Sequence, residues 1–134
     1  MAICPSCNTE KDESEFYIHK NRSTGRSAWC KTCERIKRNK YRKNNPDKVR
    51  NNNYKSMYSI SLEDYNKMFI EQAGCCKICN THQNNLIKKL AVDHCHLTNK
   101  IRGLLCSNCN TALGLMNDNT DLLKIAIKYL EKNK

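Results

Sequence analysis

Residues 90–110 read LAVDHCHLTNKIRGLLCSNCN, and this stretch decides the fold of the second half of the chain. Positions 98–100, Thr-Asn-Lys, form a turn signal between two short segments with apolar boundaries, which predicts a β-hairpin. Residues 107–115 then read as a short helix, with Asn110 in its opening turns. The stretch therefore predicts a strand–strand–helix unit.

The first strand of this unit carries side chains that suit chemistry. Alternation along a strand places Asp93 and Cys95 on one face and His94 and His96 on the other. A bulge or strand twist softens that division. Acid and imidazole groups on neighbouring positions make this strand the candidate site.

Cysteines frame the predicted hairpin and recur near the N-terminus. Eight of the ten cysteines form Cys-x-x-Cys pairs, a spacing that aims two thiolates at one point. Taken in chain order, the pairs predict two structural zinc sites with four thiolates each. The first site comprises Cys4, Cys7, Cys30 and Cys33, and the second comprises Cys76, Cys79, Cys106 and Cys109.

Two other uses of these cysteines fit less well. A disulfide framework needs an oxidising compartment, which the first residues of the chain do not indicate. A redox pair of the thioredoxin type uses one such motif and leaves three unexplained. Cys75 lacks the two-residue spacing to Cys79, so we expect it to be a neighbour of the zinc site and not a ligand.

The composition indicates a fold that metals or disulfides must hold together. Leu, Ile, Val and Phe together number 25 of 134 residues, and the formal net charge is +11. Such a thin apolar supply with so much charge is typical of disorder unless metals or disulfides hold the chain together. The positive charge favours a polyanionic partner. No apolar run approaches the roughly 20 residues of a membrane helix.

Residues 1–36 predict a small zinc ribbon. Strand-like residues at 15–19 precede a turn at 23–25 and a return through Trp29 to the second cysteine pair. Stacking on bases is one use of Phe16, Tyr17 and Trp29, but we expect them to form the core, because a unit this small has little core without metal.

A basic segment follows, from residue 34 to residue 56, with nine basic residues against two acids. Residues 34–43 favour a helix, which the Pro46 region interrupts, and Pro46 suits the first turn of a second helix. We predict a basic helical linker over 37–58 that contacts DNA phosphates. The basic residues predicted to bind DNA in and beside it are Arg35, Lys37, Arg38, Arg42 and Lys43.

Two amphipathic helices are predicted in the C-terminal part. The first spans 61–73, with Ser61 as N-cap and Gly74 at its end. The second spans 121–132, with Thr120 as N-cap, and its apolar face is expected to close the core of the C-terminal domain.

The motif of residues 92–110, with the cysteine pair at 76–79 before it, resembles the recombination endonuclease VII family. This is a bacteriophage branch of the HNH, or ββα-metal, nucleases. The shared features are an Asp-His-x-His signature, an Arg-Gly-Leu-Leu-Cys strand and a Cys-Asn end, in that order. The resemblance covers roughly residues 60–134 and implies a ββα-metal domain with flanking helices over 59–134.

The resemblance also implies residue roles. His94 would be the general base, and Asp93 and Asn110 would hold one divalent ion, usually Mg²⁺. Imidazole exchanges a proton near neutral pH, and carboxylate and amide oxygens are hard ligands, so the chemistry agrees. His96 either contacts the phosphate or braces the hairpin, and Arg102 is a candidate phosphate clamp.

One position departs from the family pattern. Many members carry a second acid where this chain has Cys95, which leaves the identity of the catalytic ion less determined.

The predicted fold is a small zinc-stabilised α+β protein.

The sequence thus predicts a metal-dependent DNA endonuclease that hydrolyses phosphodiester bonds with water activated by a histidine. Resolution of branched DNA, homing at a specific site and general nicking remain open uses. The alternatives are a zinc-dependent nucleic-acid-binding module without activity and a protein that blocks another enzyme. The expected cofactors are two Zn²⁺ and one Mg²⁺ or other divalent ion. DNA is the expected partner, a homodimer is left open, and the expected location is the cytoplasm of a phage-infected bacterium.

Overall fold

Short antiparallel hairpins build both halves of the chain, and in each half one hairpin leads into an α-helix. The computed structural model describes residues 1–132. The chain divides into two units, Met1–Val49 and Arg50–Lys134. The sequence predicts three segments, residues 1–36, 37–58 and 59–134, whose limits differ from those of the two units. The limits of these segments remain a prediction. Among the described residues, no helix has the length and apolar character needed to cross a membrane.

The first unit contains two hairpins and a helix. β1 pairs with β2 and β3 pairs with β4, both antiparallel, and the turn between β3 and β4 closes at Gly25 with φ +64°. The elements are β1 (Ala2–Cys4), β2 (Thr9–Lys11), β3 (Phe16–Ile18), β4 (Arg26–Cys30) and α1 (Lys31–Asn44).

The core of the first unit consists mainly of metal-ligand candidates. Its buried members are Cys4, Phe16 and Cys30, and Trp29 packs partly against them. Tyr17 was expected in this core, but its side chain is exposed, with Lys31 and Arg38 near its ring. The reason is strand alternation: Phe16 faces inward, so its neighbour Tyr17 faces outward. This unit therefore has too little apolar burial to fold well without its metal.

The basic helix predicted over 34–43 is confirmed as α1. It is longer than predicted, since it runs from Lys31 to Asn44, and none of its residues is buried. Pro46 opens α2 (Pro46–Tyr58), also as predicted, since its fixed φ suits a first helical turn.

The second unit holds the strand–strand–helix arrangement. β5 and β6 form the predicted hairpin, and α4 lies against β5. The elements are α3 (Leu62–Glu71), β5 (Ala91–His94), β6 (Ile101–Leu105), α4 (Ser107–Leu115) and α5 (Thr120–Lys132).

The predicted start of α3 is confirmed, whereas the helix ends at Glu71 and not at residue 73, because Ala73 and Gly74 both have positive φ. The Ser61 hydroxyl accepts from the Asp64 N–H at 3.1 Å, and the Asp64 carboxylate accepts from the Ser61 N–H at 2.7 Å, which completes a capping box. Beyond the helix, Gly74 has φ +69°, and a Cβ there would lie 2.8 Å from His82 Nε2. Both the backbone and the close imidazole require glycine at this position.

The core of the second unit lies between α3 and the hairpin. Tyr65 of α3 is buried, and its hydroxyl donates to the Leu90 carbonyl at 2.8 Å. Val92 and Leu104 from the two strands are buried beside it. Burial raises the pKa of Tyr65 to about 12, so this hydroxyl remains a donor at neutral pH.

The predictions for α5 were wrong in two respects. Asn119, not Thr120, caps the helix, because the Asn119 side-chain oxygen accepts from the N–H groups of Asp121 and Leu122. No residue of α5, all of which lies in the described part of the chain, is buried, so α5 does not close the core. Tyr54 and Tyr58 of α2 pack against that core instead.

Gln72, which no sequence signal singled out, completes the outer edge of β6. Its side-chain amide donates to the Leu104 carbonyl and accepts from the Leu104 N–H, both at 2.9 Å. The amide therefore takes the place of a neighbouring strand at a fully buried residue.

We expect Gln72→Ala to lower the free energy of unfolding by about 1–3 kcal/mol, the cost of one buried unpaired donor. The orphaned group is the Leu104 N–H, because the Leu104 carbonyl keeps a bond from the Lys77 N–H at 3.1 Å. Urea denaturation of the zinc-loaded protein measures the change, with Glu71→Ala on the adjacent exposed position as the control. Equal midpoints for the two variants would contradict this role.

Candidate functional site

Two clusters of four cysteines lie where the sequence predicted zinc sites. In each cluster all four Sγ atoms lie within 4.8 Å of one another. Around a tetrahedral zinc with bonds of about 2.3 Å, sulfurs sit about 3.8 Å apart, and Cys79 Sγ and Cys106 Sγ are 3.7 Å apart. Both clusters could bind zinc, since the donors are soft and the spacing fits.

The two clusters are built on one plan. The first pair of each cluster forms a turn closed by an asparagine with positive φ: Asn8 N–H donates to Cys4 O at 2.8 Å, and Asn80 N–H donates to Cys76 O at 3.0 Å. The second pair of each cluster begins a helix, because Cys30 precedes α1 and Cys106 precedes α4 as N-cap residues.

The pKa of each thiol in the clusters depends on the groups around it. Burial opposes ionisation of Cys4, but backbone N–H groups lower the pKa of its thiol to about 6. The Thr81 hydroxyl and N–H likewise lower the pKa of Cys79 to about 6, whereas burial and neighbouring thiols raise the pKa of Cys109 to about 12. Four adjacent thiolates repel one another, and a divalent cation at their centre removes that penalty.

The acid and histidine residues lie at the end of β5. Asp93 is the third residue of this strand, with a side chain only 10% exposed, and His94 is the last. The ring of His94 has two aromatic neighbours, with centroids 5.3 Å from Tyr58 and 4.7 Å from His96. The hairpin thus brings the two histidines together.

A β-bulge separates Asp93 from His94. Asp93 pairs with Gly103 and His94 pairs with Ile101, so Arg102 is the extra residue on β6. Gly103 has φ +148°, and a Cβ there would lie 2.7 Å from Lys77 Cδ. The bulge re-aims side chains around the strand end.

Arg102 holds both carboxylate oxygens of Asp93. Its Nε donates to Asp93 Oδ2 at 2.7 Å and its Nη2 donates to Asp93 Oδ1 at 2.8 Å, a bidentate pair. Nη2 also lies 3.2 Å from both carboxylate oxygens of Asp118. The pKa of Arg102 is raised, first by the hydrogen bond to Asp93. Its predicted contact with a phosphate stays a prediction.

Asn110 lies in the opening turns of α4 and is half-buried. Because α4 lies against β5, the elements that carry Asp93 and Asn110 are neighbours. Each Asp93 oxygen that accepts from Arg102 keeps a further lone pair. A hard cation such as Mg²⁺ fits this donor set of carboxylate and amide oxygens.

Cys95 follows β5 and is half-buried. Its N–H donates to the Lys100 carbonyl at 2.9 Å, which closes the hairpin turn. The side chain and N–H of Thr98 lower the pKa of the Cys95 thiol, with a smaller contribution from the Arg102 charge.

The five predicted DNA-binding residues of the first unit all lie on α1 and are exposed. Lys37 Nζ lies 4.4 Å from the centre of the Trp29 ring. Arg38, one position on, lies within 6.0 Å of the Tyr17 ring. The others, Arg35, Arg42 and Lys43, occupy further positions around the helix.

Sequence reasoning missed Asp118 and Tyr58. Asp118 lies in an Asn-Asp-Asn run, with Asn117 and Asp118 both at positive φ, and this run reads as a plain turn. Tyr58 ends a helix that was expected to be a linker. Asp118 contacts Arg102, which lies 16 positions away in the sequence, and Tyr58 contacts His94, which lies 36 positions away. No local sequence pattern predicts contacts over such separations.

We expect Arg102→Lys to lower the free energy of unfolding by about 1–2 kcal/mol although the charge is kept, because an ammonium cannot bridge both Asp93 oxygens. Urea denaturation measures the loss. Asp118→Asn, which leaves the Asp93 pair intact, is the control and should cost less. A native unfolding midpoint for Arg102→Lys would show that the bidentate geometry is unimportant.

Comparisons with known proteins find a matching family and two similar phage proteins. The sequence profile of the family described as recombination endonuclease VII matches residues 51–132. The gene 59 protein of Mycobacterium phage D29 is 43% identical over 76 residues, which cover 56% of this chain and 46% of that protein. The gene 59 protein of Mycobacterium phage L5 is 42% identical over 74 residues, covering 54% and 44%. The chain spans about half the length of these curated relatives.

A solved structure also aligns with the chain. The crystal structure of the ββα-Me type II restriction endonuclease Hpy99I is 26% identical, with a TM-score of 0.42, over 98% of this chain and 65% of that chain.

Proposed function

The chain belongs to the recombination endonuclease VII family, and from that membership we propose that it is a metal-dependent DNA endonuclease with an HNH active site. The observation that supports this most is the β5–β6–α4 unit, which carries Asp93 and His94 at the end of one strand and Asn110 on the helix against it. A carboxylate, an imidazole and an amide in that order match the family's motif.

His94 serves as the general base in this proposal. Its neutral imidazole accepts a proton from water, and the resulting hydroxide attacks the phosphorus of the scissile phosphate. The bond between phosphorus and the 3′ oxygen then breaks. The Tyr58 and His96 rings each contact the His94 ring, and these contacts restrict its movement, which keeps the accepting nitrogen in place.

Asp93 and Asn110 would hold the divalent cation, Mg²⁺ or a similar ion. A cation bound there stabilises negative charge on the scissile phosphate and on the leaving oxygen. Arg102 positions Asp93 through two hydrogen bonds, and Asp118 gives Arg102 a second acceptor. His96, next to the base, is assigned to the phosphate or to the hairpin.

Zinc at the two cysteine clusters has a structural role in this proposal. Each cluster joins a turn to a helix start, and the second cluster fixes β6 and α4, which frame the catalytic residues. Four protein ligands leave no open position for substrate at either zinc.

DNA binding is assigned to α1 together with Arg102. Each phosphate that a cation neutralises adds about 0.9 to the slope of log affinity against log salt. We expect Arg42→Gln with Lys43→Gln to weaken duplex binding and to reduce that slope by about 2, with two zincs per chain retained. Lys128→Gln with Lys132→Gln on α5 removes equal charge as the control. An unchanged slope in the α1 variant would remove these residues from the interface.

Branched DNA is the proposed substrate class, and the host cytoplasm is the proposed location, given the phage relatives. Cleavage of a four-way junction and of linear duplex with the same arms tests this. Faster cutting of the junction is expected. Cutting of the linear duplex at discrete sites, with no preference for the junction, would favour homing instead.

A further inference from the structure

A cleft in the first unit, outside the candidate active site, is lined by both aromatic and cationic side chains. Its volume is about 530 Å³, within the range of about 300–1,000 Å³ for small-ligand pockets. It opens between β4 and α1. The side chains that matter for its chemistry are Trp29, Tyr41, Arg22, Lys37, Arg38 and Glu34.

Helical spacing builds one wall of this cleft. Glu34, Lys37, Arg38 and Tyr41 recur at i, i+3, i+4 and i+7, so they share one face of α1. Tyr41 is 52% exposed, which leaves its ring free to receive a flat ligand. Lys43, two positions further, lies on the far side of the helix. The cleft therefore combines aromatic rings and cations on one face.

The charges of the cleft favour a phosphate. Arg22, Lys37 and Arg38 contribute cations, and His19 lies at the rim. Glu34 is the acidic residue of the lining. Its carboxylate accepts a hydrogen bond from the Ser27 hydroxyl and is therefore held toward the protein. Lys37 Nζ sits over the Trp29 ring, on a flexible and exposed side chain that a phosphate can draw away.

The shared plan of the two units argues for binding and against cleavage in this cleft. Glu34 follows Cys33 directly, as Asn110 follows Cys109. β3 reads Phe-Tyr-Ile, however, and has no counterpart of the Asp-His pair on β5. Rings that stack on bases and cations that contact phosphates are the two parts of single-strand recognition.

We propose that this cleft binds an unpaired nucleotide of the DNA substrate, with its base on Trp29 or Tyr41 and its phosphate on Lys37 and Arg38. The proposal rests on the proposed function and deepens it, since it names unpaired bases as part of the substrate. Branched DNA exposes such bases at flaps and loops, so the cleft would select branched over plain duplex DNA.

Trp29 is the single tryptophan of the chain, so its fluorescence reports on this cleft. The test titrates zinc-loaded His94→Ala protein, without Mg²⁺, with a short oligothymidylate, with a matched duplex and with inorganic phosphate. Saturable quenching by the oligothymidylate at concentrations where the duplex and phosphate have little effect is expected. Tyr41→Ala should weaken that binding about 5- to 100-fold.

Lys37→Ala should also weaken the binding and lower its salt slope by about 0.7, whereas Lys128→Ala, which removes an equal charge from the exposed surface of α5, is the control and should bind as the parent does. Equal quenching by duplex, quenching by phosphate alone, or native affinity in Tyr41→Ala with two zincs bound would each overturn the proposal. Because no cleavage is measured, failure here is separate from failure of the nuclease assignment, which the cleavage assays decide.

Discussion

Replacing His94 with alanine is expected to slow nicking of supercoiled plasmid by at least about 100-fold, the lower end of what general-base catalysis contributes. His94 ends β5 next to the buried Asp93, and its ring contacts the rings of Tyr58 and His96. The imidazole contributes a proton acceptor and is half-exposed, so its loss should leave the fold and the zinc content unchanged.

The control for this variant is His96→Ala, which removes the adjacent ring and keeps the assigned base. We expect a smaller loss of rate from it, because His96 acts on the position of His94 or on the phosphate. Zinc content and the thermal midpoint are measured for both. If His94→Ala cuts at the native rate with two zincs bound, another group is the base, and a larger loss in His96→Ala would identify it.

Replacing Cys76 with alanine is expected to unfold the second unit and to leave one zinc per chain. Metal binding at such sites contributes about 10–16 kcal/mol at neutral pH, and the total stability of a domain is about 5–15 kcal/mol. Cys76 is buried in the core next to Leu104 and Cys106, so the variant loses a ligand and a packed side chain together.

Cys75→Ala is the matched control, because the two cysteines are adjacent and only Cys76 belongs to the cluster. Cys75 Sγ lies 3.4 Å from the Ala73 carbonyl and is not a ligand candidate. Two zincs per chain and a native circular dichroism spectrum are expected for this control. Zinc loss in Cys75→Ala, or two zincs in a folded Cys76→Ala, would show that the ligand set is assigned wrongly.

The features that follow from short-range rules could be predicted from the sequence. Two-residue cysteine spacing, the Ser61–Asp64 capping box and the positive φ of Gly74 just beyond α3 each depend on residues a few positions apart, and the structure has all three. The same holds for the placement of Asp93 and His94 on a strand that precedes the α4 helix.

The features that follow from long-range packing could not be predicted. The amphipathic pattern of α5 indicates an apolar face but not what covers it, and here Tyr54 and Tyr58 of α2 already cover the core. The bulge that leaves Arg102 as the extra residue on β6, next to the partner of Asp93, is a register effect between two strands. Gln72 bonds to Leu104 across 32 positions, and any polar residue at a helix end looks the same in sequence.

Zinc-loaded protein incubated with supercoiled plasmid tests the central claim most directly. With Mg²⁺ added, nicked and linear plasmid should accumulate with time, and without a divalent cation the plasmid should stay supercoiled, because Asp93 and Asn110 then lack the ion that stabilises charge on the phosphate. Plasmid that remains supercoiled with Mg²⁺, Mn²⁺ and Ni²⁺ alike, while two zincs are bound, would contradict the endonuclease assignment.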